Sequence, residues 1–173
     1  MMIPVSENLH IELLTKTNAE EVFALIDAHR KELRKWLPWV DSSKSVQDTL
    51  VFIQATNGKQ WVIHYKNKIA GLIGLNKIYD NYKKIVIGYW LSPDFWGHGI
   101  MKQSCLAFCN NFFEQGSKEI IAYVSTVNPR STKLIKSLGF VETGVIPDGE
   151  ILLGNKYDQI IFTLSKVSHY PDL

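Results

Sequence analysis

The chain has 173 residues, enough for one domain with its own hydrophobic core. Apolar residues make up 46% and charged residues 21%, which excludes a low-complexity or fibrous chain. A formal net charge of +2 does not suggest a dedicated nucleic-acid binder, yet it does not repel a polyanionic small molecule.

The segment MMIPVSENLHIELL shows no basic stretch followed by a long apolar core, and no run of roughly 18 apolar residues occurs, so a cytoplasmic protein without membrane contact is expected. Residues 9–15, LHIELLT, alternate and predict a strand. Thr17 with Glu20, or Asn18 with Glu21, forms a capping-box pattern. Val22, Leu25, Ile26, Leu33, Trp36 and Leu37 then share a helical face, and Pro38 closes the helix. His29 lies on that stripe, as a packed or boundary histidine rather than a ligand. Segment 37–45, LPWVDSSKS, reads as a loop carrying an exposed Trp39. Ser45 and Asp48 restart a helix that Asn57-Gly58 ends.

From Gln60 the period changes. WVIHYK, IAGLIGLNKIY and KIVIGYWL predict three strands, with tight turns at Asn67 and at Asp80-Asn81, hence an antiparallel meander. His64 falls in the first of these as a boundary residue, while His10 and His169 stand without company. Residues 97–115 predict a helix with Met101, Cys105, Phe108, Cys109 and Phe112 on one stripe. Two cysteines on an apolar face read as buried, reduced thiols rather than a metal pair. Residues 119–127 predict a strand. Asn128-Pro129 opens a further helix that Gly139 ends, and strands follow at 141–147, closed by Asp148-Gly149, and at 157–165.

Strand 84–92, helix 97–115 and strand 119–127 form a βαβ crossover, which is right-handed with parallel strands. The helix starts at Gly97 and Asn128 then open toward one crevice beyond the strand ends, where ligands of open sheets bind. Helix N-termini carry unpaired N–H groups and partial positive charge, and glycine lets a ligand approach the backbone. Gly97-His98-Gly99 therefore reads as an anion cradle, although a ligand-free tight turn uses the same residues. It is neither a dinucleotide fingerprint, since Lys102 stands where the third glycine is needed, nor a Walker loop.

IGYWLSPDFWGHGIMKQS, Asn128-Pro-Arg-Ser131 and Ser137-Leu-Gly-Phe140 together resemble the GNAT superfamily of N-acetyltransferases, in its ribosomal-protein-serine N-acetyltransferase (RimL-like) branch. The resemblance covers nearly the whole chain. It implies an α+β fold: a single GNAT-type domain over 1–173, with a mixed, mostly antiparallel sheet, a central splayed parallel strand pair and flanking helices. It implies acetyl-CoA as cosubstrate and no metal. In the family the backbone of an Arg/Gln-x-x-Gly-x-Gly/Ala loop holds the pyrophosphate. Here that loop is Trp96, Gly97, His98, Gly99, Ile100 and Met101, with Trp96 in place of Arg/Gln and Met101 in place of the small last residue. Tyr89, Trp90 and Leu91 are implied to pair with the pantetheine arm, and Asn128 to hydrogen-bond it.

Acetyl transfer needs a neutral amine, donors for the oxyanion and a proton for the leaving thiolate. Many family members supply that proton from a tyrosine whose position here is Ile135. The resemblance assigns the task to Ser131 instead. It offers Glu150 as base and substrate contact, within DGEILLGNKYD, and leaves Asp158 as a structural partner. Trp39 in the 37–45 loop and segment 147–156 are expected to wall the acceptor cleft. The implied acceptor is a protein α-amine such as a ribosomal protein N-terminus. A small-molecule amine (polyamine, aminoglycoside or amino-acid analogue) and a non-catalytic acetyl-CoA-binding module stay as alternatives. A homo-oligomer is expected, and direct nucleic-acid contact is not.

Overall fold

The computed structural model describes residues 2–166, so His169 lies outside the described residues. The chain starts with strand β1 (Met2–Ser6), which its short, proline-containing sequence does not announce; it pairs antiparallel with β2 (Leu9–Leu13). β1 is the first strand of the sheet, an edge position where the missing N–H of Pro4 is tolerated.

A 3₁₀ turn (Lys16–Asn18) leads into α1 (Ala19–Ala28). Asn18 Oδ1 accepts the Thr15 backbone N–H at 2.9 Å, so Thr15 and Asn18 form the reciprocal cap, not either pair expected from sequence. Glu21 is drawn elsewhere: its carboxylate accepts the Ile69 N–H at 3.0 Å. The helix expected to reach Leu37 breaks at His29 (φ −119°, ψ 16°), leaving a short α2 (Arg30–Leu33). Tertiary bonds explain the break. The Arg30 guanidinium donates to Asp27 Oδ1 (2.9 Å), to the Ser43 carbonyl (2.7 Å) and to the Val40 carbonyl, fastening the corner to the 3₁₀ turn Pro38–Asp41. Helix α3 (Val46–Thr56) has the expected boundaries: Ser45 Oγ accepts the Asp48 N–H, and Asn57 turns left-handed at φ 44°.

The meander follows as β3 (Gln60–Tyr65), β4 (Lys68–Tyr79) and β5 (Lys84–Leu91), then α4 (Ile100–Glu114), β6 (Glu119–Ser125), α5 (Pro129–Ser137), β7 (Val141–Leu152) and β8 (Asn155–Ser165). The strands are hydrogen-bonded in the order β1-β2-β3-β4-β5-β6-β8-β7. The parallel pair is β5–β6, in register from Lys84 opposite Glu119 to Ile87 opposite Ala122; each strand continues past that ladder. The mixed α+β architecture expected from sequence is therefore present.

Further boundaries differ from expectation. Helix α4 starts at Ile100 rather than Gly97. Strand β6 stops at Ser125 because the Asn128 N–H turns back to the Ser125 carbonyl (2.9 Å). Asp148-Gly149 does not end β7. It forms a bulge with Asp148 at φ 51°, held by the Asp148 N–H on Asp158 Oδ1 (2.9 Å), and the strand resumes to a Leu153-Gly154 hairpin turn.

Two compact units divide the chain. One comprises residues up to Gly74 with Tyr89–Ala107; the other comprises Leu75–Gly88 with the chain from Phe108 onward. The core of the first gathers Val22, Ile26 and Leu33 with Val40, Val62, Leu72 and Trp90. The second buries Phe108, Phe112, Ile120, Ile135, Phe162 and Leu164.

Candidate active site

In the first unit, β5 ends where β4 comes unusually close. The Ser92 N–H donates to the Ala70 carbonyl at 2.8 Å, and a Cβ on Gly71 would lie 2.1 Å from the Trp90 carbonyl oxygen, so only glycine fits there. The Trp90 side chain is buried in the core, with its ring centroid 6.1 Å from that of Trp39, which is itself 41% exposed. Tyr89 and Leu91 complete the strand end. What Trp90 can offer a ligand is its backbone.

The chain then makes a 3₁₀ turn (Pro93–Phe95) and a loop before α4. The Trp96 indole N–H donates to the Leu91 carbonyl at 2.9 Å, so the residue that replaces Arg/Gln anchors the loop to the strand it leaves. Gly97 and Gly99 have φ of 82° and 70°, left-handed conformations that cost other residues strain. Gly97, His98 and Gly99 are exposed. The Gly99 carbonyl accepts the Gln103 N–H (3.1 Å), which makes Gly99 the last residue before α4. The first N–H groups of this 15-residue helix have no intrahelical acceptor, and no acidic residue occupies its first turn to satisfy an anion's role. Ile100 and Met101 bury their side chains and so contribute backbone only. His98 points its imidazole outward, while the loop's donors are main-chain groups. His29 Nε2 lies 3.1 Å from Asp94 Oδ2, bracing the loop from the α1–α2 corner; its place on an apolar stripe did not foretell this.

In the second unit, Asn128 Oδ1 accepts the Ser131 N–H at 3.1 Å and Pro129 occupies the first turn of α5. Ser131 is half-buried in that turn, one turn before Ile135, which is fully buried and carries no proton. Glu150 lies in β7 just past the bulge, rather than in a solvated loop. Burial raises its carboxyl above the ordinary carboxylate range, while the Ser125 hydroxyl and the Gln159 side chain act in the opposite direction. Ser125 stands opposite Gln159 in the β6–β8 ladder. Sequence reasoning missed both, because only strand register brings them to Glu150. Asp158 is occupied in holding the bulge. Glu150 is thus a carboxylate held where it takes up a proton more readily than a free one.

Residues 8–141 match the family model described as an acetyltransferase (GNAT) domain. The chain belongs to the GNAT acetyltransferase family. It is 26% identical over 166 residues to the Escherichia coli (strain K12) ribosomal-protein-serine acetyltransferase, covering 91% of this chain and 92% of that one. The solved structure of the ribosomal alpha-N-protein acetyltransferase RimL in complex with coenzyme A superposes with a TM-score of 0.91 at 24% identity, over 95% of this chain and 98% of that one, and so shares the fold. The microcin self-immunity acetyltransferase MccE, solved in complex with acetyl-CoA and AMP, is 28% identical with a TM-score of 0.87, over 93% and 94% of the two chains. This GNAT acetyltransferase has no exposed thiol for a covalent acetyl-enzyme among its described residues. Cys105 and Cys109 are both buried, and burial pushes the Cys109 thiol up to about 12.

Proposed function

We propose that this N-acetyltransferase takes its acetyl group from acetyl-CoA and passes it directly to the N-terminal α-amine of a protein. The observation that carries the reading is Glu150, a half-buried carboxyl whose proton affinity is raised by burial. A base tuned toward neutrality suits general-base work. An α-amine, with an ordinary pKa of about 7.7–8.0, needs only such a weak base, whereas a lysine amine near 10.4 needs more. Similarity to a ribosomal-protein-serine acetyltransferase supports the same acceptor class.

In this reading the backbone N–H groups of Gly97 to Met101 hold the pyrophosphate, and the pantetheine arm lies along Tyr89–Leu91. Asn128 commits its side-chain oxygen to the helix cap, which leaves its amide N–H groups as the donors assigned to the arm. The amine nitrogen attacks the thioester carbon and loses a proton to Glu150, directly or through water. The carbon–sulfur bond then breaks; the Ser131 hydroxyl donates a proton to the departing thiolate and regains one from water, while Glu150 releases its proton to solvent.

The test is acetyl-CoA consumption with peptides differing in their first residue, beside polyamines and aminoglycosides. Turnover of Ser-, Ala- or Thr-initiated peptides is expected; no turnover of any of them removes the proposed acceptor. A second reading is a small-molecule amine as acceptor, since MccE was solved with the small molecule AMP beside acetyl-CoA, and the same panel separates the two.

A further inference from the structure

Outside the transfer machinery, β2 and β3 bring together three groups that sequence left separate. His10 and Glu12 are two apart on β2 and therefore share a face. His64 stands directly opposite His10 in the β2–β3 register. The two imidazoles lie in parallel, with centroids 4.7 Å apart and planes inclined by 6°, so His10 is not without company as its sequence context suggested. Glu12 Oε1 lies 2.8 Å from His64 Nε2. The two approach as an ion pair, yet His64 Nε2 is enclosed by protein and, among the described residues, makes no hydrogen bond. An enclosed ring nitrogen without a hydrogen bond is costly, and native proteins ordinarily satisfy such groups.

The geometry points to a divalent metal site formed by His10, Glu12 and His64, with Zn²⁺ as its ion. One ligand atom from each residue lies within 4.8 Å of the other two. Tetrahedral zinc with bonds of about 2.1 Å places neighbouring ligand atoms roughly 3.4 Å apart, so the set needs to draw in by no more than about 1.4 Å to hold the ion. Two imidazoles and one carboxylate are the donor types zinc accepts, and a water completes the fourth position. The ligands stand on paired strands, which hold them in register better than a loop. Burial is graded as an approaching ion requires. The His64 side chain is 15% exposed and that of Glu12 39%, and Glu12 also lines an open recess with Met2, Leu13, Thr15 and Thr17. The ion links β2 to β3 and takes no part in acetyl transfer, so the site stands or falls independently of the acceptor.

The test uses the untagged, chelator-treated full chain. Titration with zinc ions in a calorimeter is expected to show one binding event per chain. Loss of even an outer-shell partner costs metal sites 10–100-fold in affinity, so His10→Gln and His64→Gln should each weaken binding by at least about tenfold, with Glu12→Gln also weaker than wild type. Wild-type crystals soaked in zinc should show an anomalous difference peak bounded by the three side chains, a readout that holds even where a variant fails to fold. Undiminished zinc binding in the folded His10→Gln and His64→Gln variants, or a peak elsewhere or nowhere, overturns the site.

Discussion

The proposed pyrophosphate cradle can be separated from general backbone strain by three Gly→Ala changes. Gly58, Gly97 and Gly99 have φ of 76°, 82° and 70°. A Cβ at Gly58 or Gly97 meets nothing within 4 Å, and at Gly99 only Gln103 Nε2 at 3.6 Å, an ordinary contact. Steric clash is therefore absent, and each alanine bears only the left-handed penalty of roughly 1–2 kcal/mol. Reduced freedom of the unfolded chain returns about 0.4–1 kcal/mol, so a variant that keeps its left-handed turn should lose on the order of 1 kcal/mol of stability in denaturant melts. Where a strained loop relaxes in the free protein, ligand binding must restore it. The full penalty then appears as a roughly 5- to 30-fold loss of affinity, at 1.36 kcal/mol per tenfold. Gly97→Ala and Gly99→Ala should lose coenzyme A affinity by up to that factor in calorimetric titration. Gly58→Ala, at the end of α3, should bear its penalty in stability alone and bind coenzyme A as wild type. Unchanged coenzyme A affinity in Gly97→Ala and Gly99→Ala variants that also lose no stability would refute the cradle.

Glu150→Gln should lower kcat/KM by roughly 10²–10⁴ while leaving coenzyme A affinity unchanged, as for loss of a general base. The acid limb of the wild-type pH–rate profile should lie above the ordinary glutamate range, because burial raises this carboxyl. The sign for stability follows. A folded-state value above the unfolded one makes the ionised carboxylate a liability that grows as pH rises through that interval, so Glu150→Gln should melt higher than wild type at neutral pH and no higher below pH ~4. Ser131→Ala should reduce kcat by about 10- to 150-fold, the worth of a hydrogen bond to a charged group at about 1.5–3 kcal/mol, with KM for acetyl-CoA little changed. Replacing Cys105 and Cys109 together by alanine should lower thermal stability through lost packing yet leave kcat within about twofold, since neither buried thiol is a nucleophile.

What could be read in the sequence was what short-range chemistry writes there. Ser45 with Asp48, Asn57-Gly58 and Asn128-Pro129 are cap signals that act within one helical turn, and each sits where expected. The change of period at Gln60 marked the meander, and Gly97-His98-Gly99 marked the loop before α4. Longer-range partners were not legible. Nothing local tells that Arg30 holds the Val40 and Ser43 carbonyls and so breaks a helix whose apolar stripe continues unbroken. Asp148-Gly149 suits a turn and a bulge equally well; the Asp158 carboxylate decides for the bulge, and with it the half-buried setting of Glu150. The His10–His64 stack depends on the register of two strands separated by three helices, and the indole bond of Trp96 depends on where β5 ends.

The most direct test of the proposed function is to locate the acetyl group. A peptide that begins with serine and contains an internal lysine is incubated with the enzyme and acetyl-CoA, and tandem mass spectrometry then assigns the modified nitrogen. The account predicts one acetyl group on the α-amine per coenzyme A released, at a rate that Glu150→Gln and Ser131→Ala both depress. Acetyl on the lysine ε-amine, or turnover confined to polyamines or aminoglycosides, would contradict it.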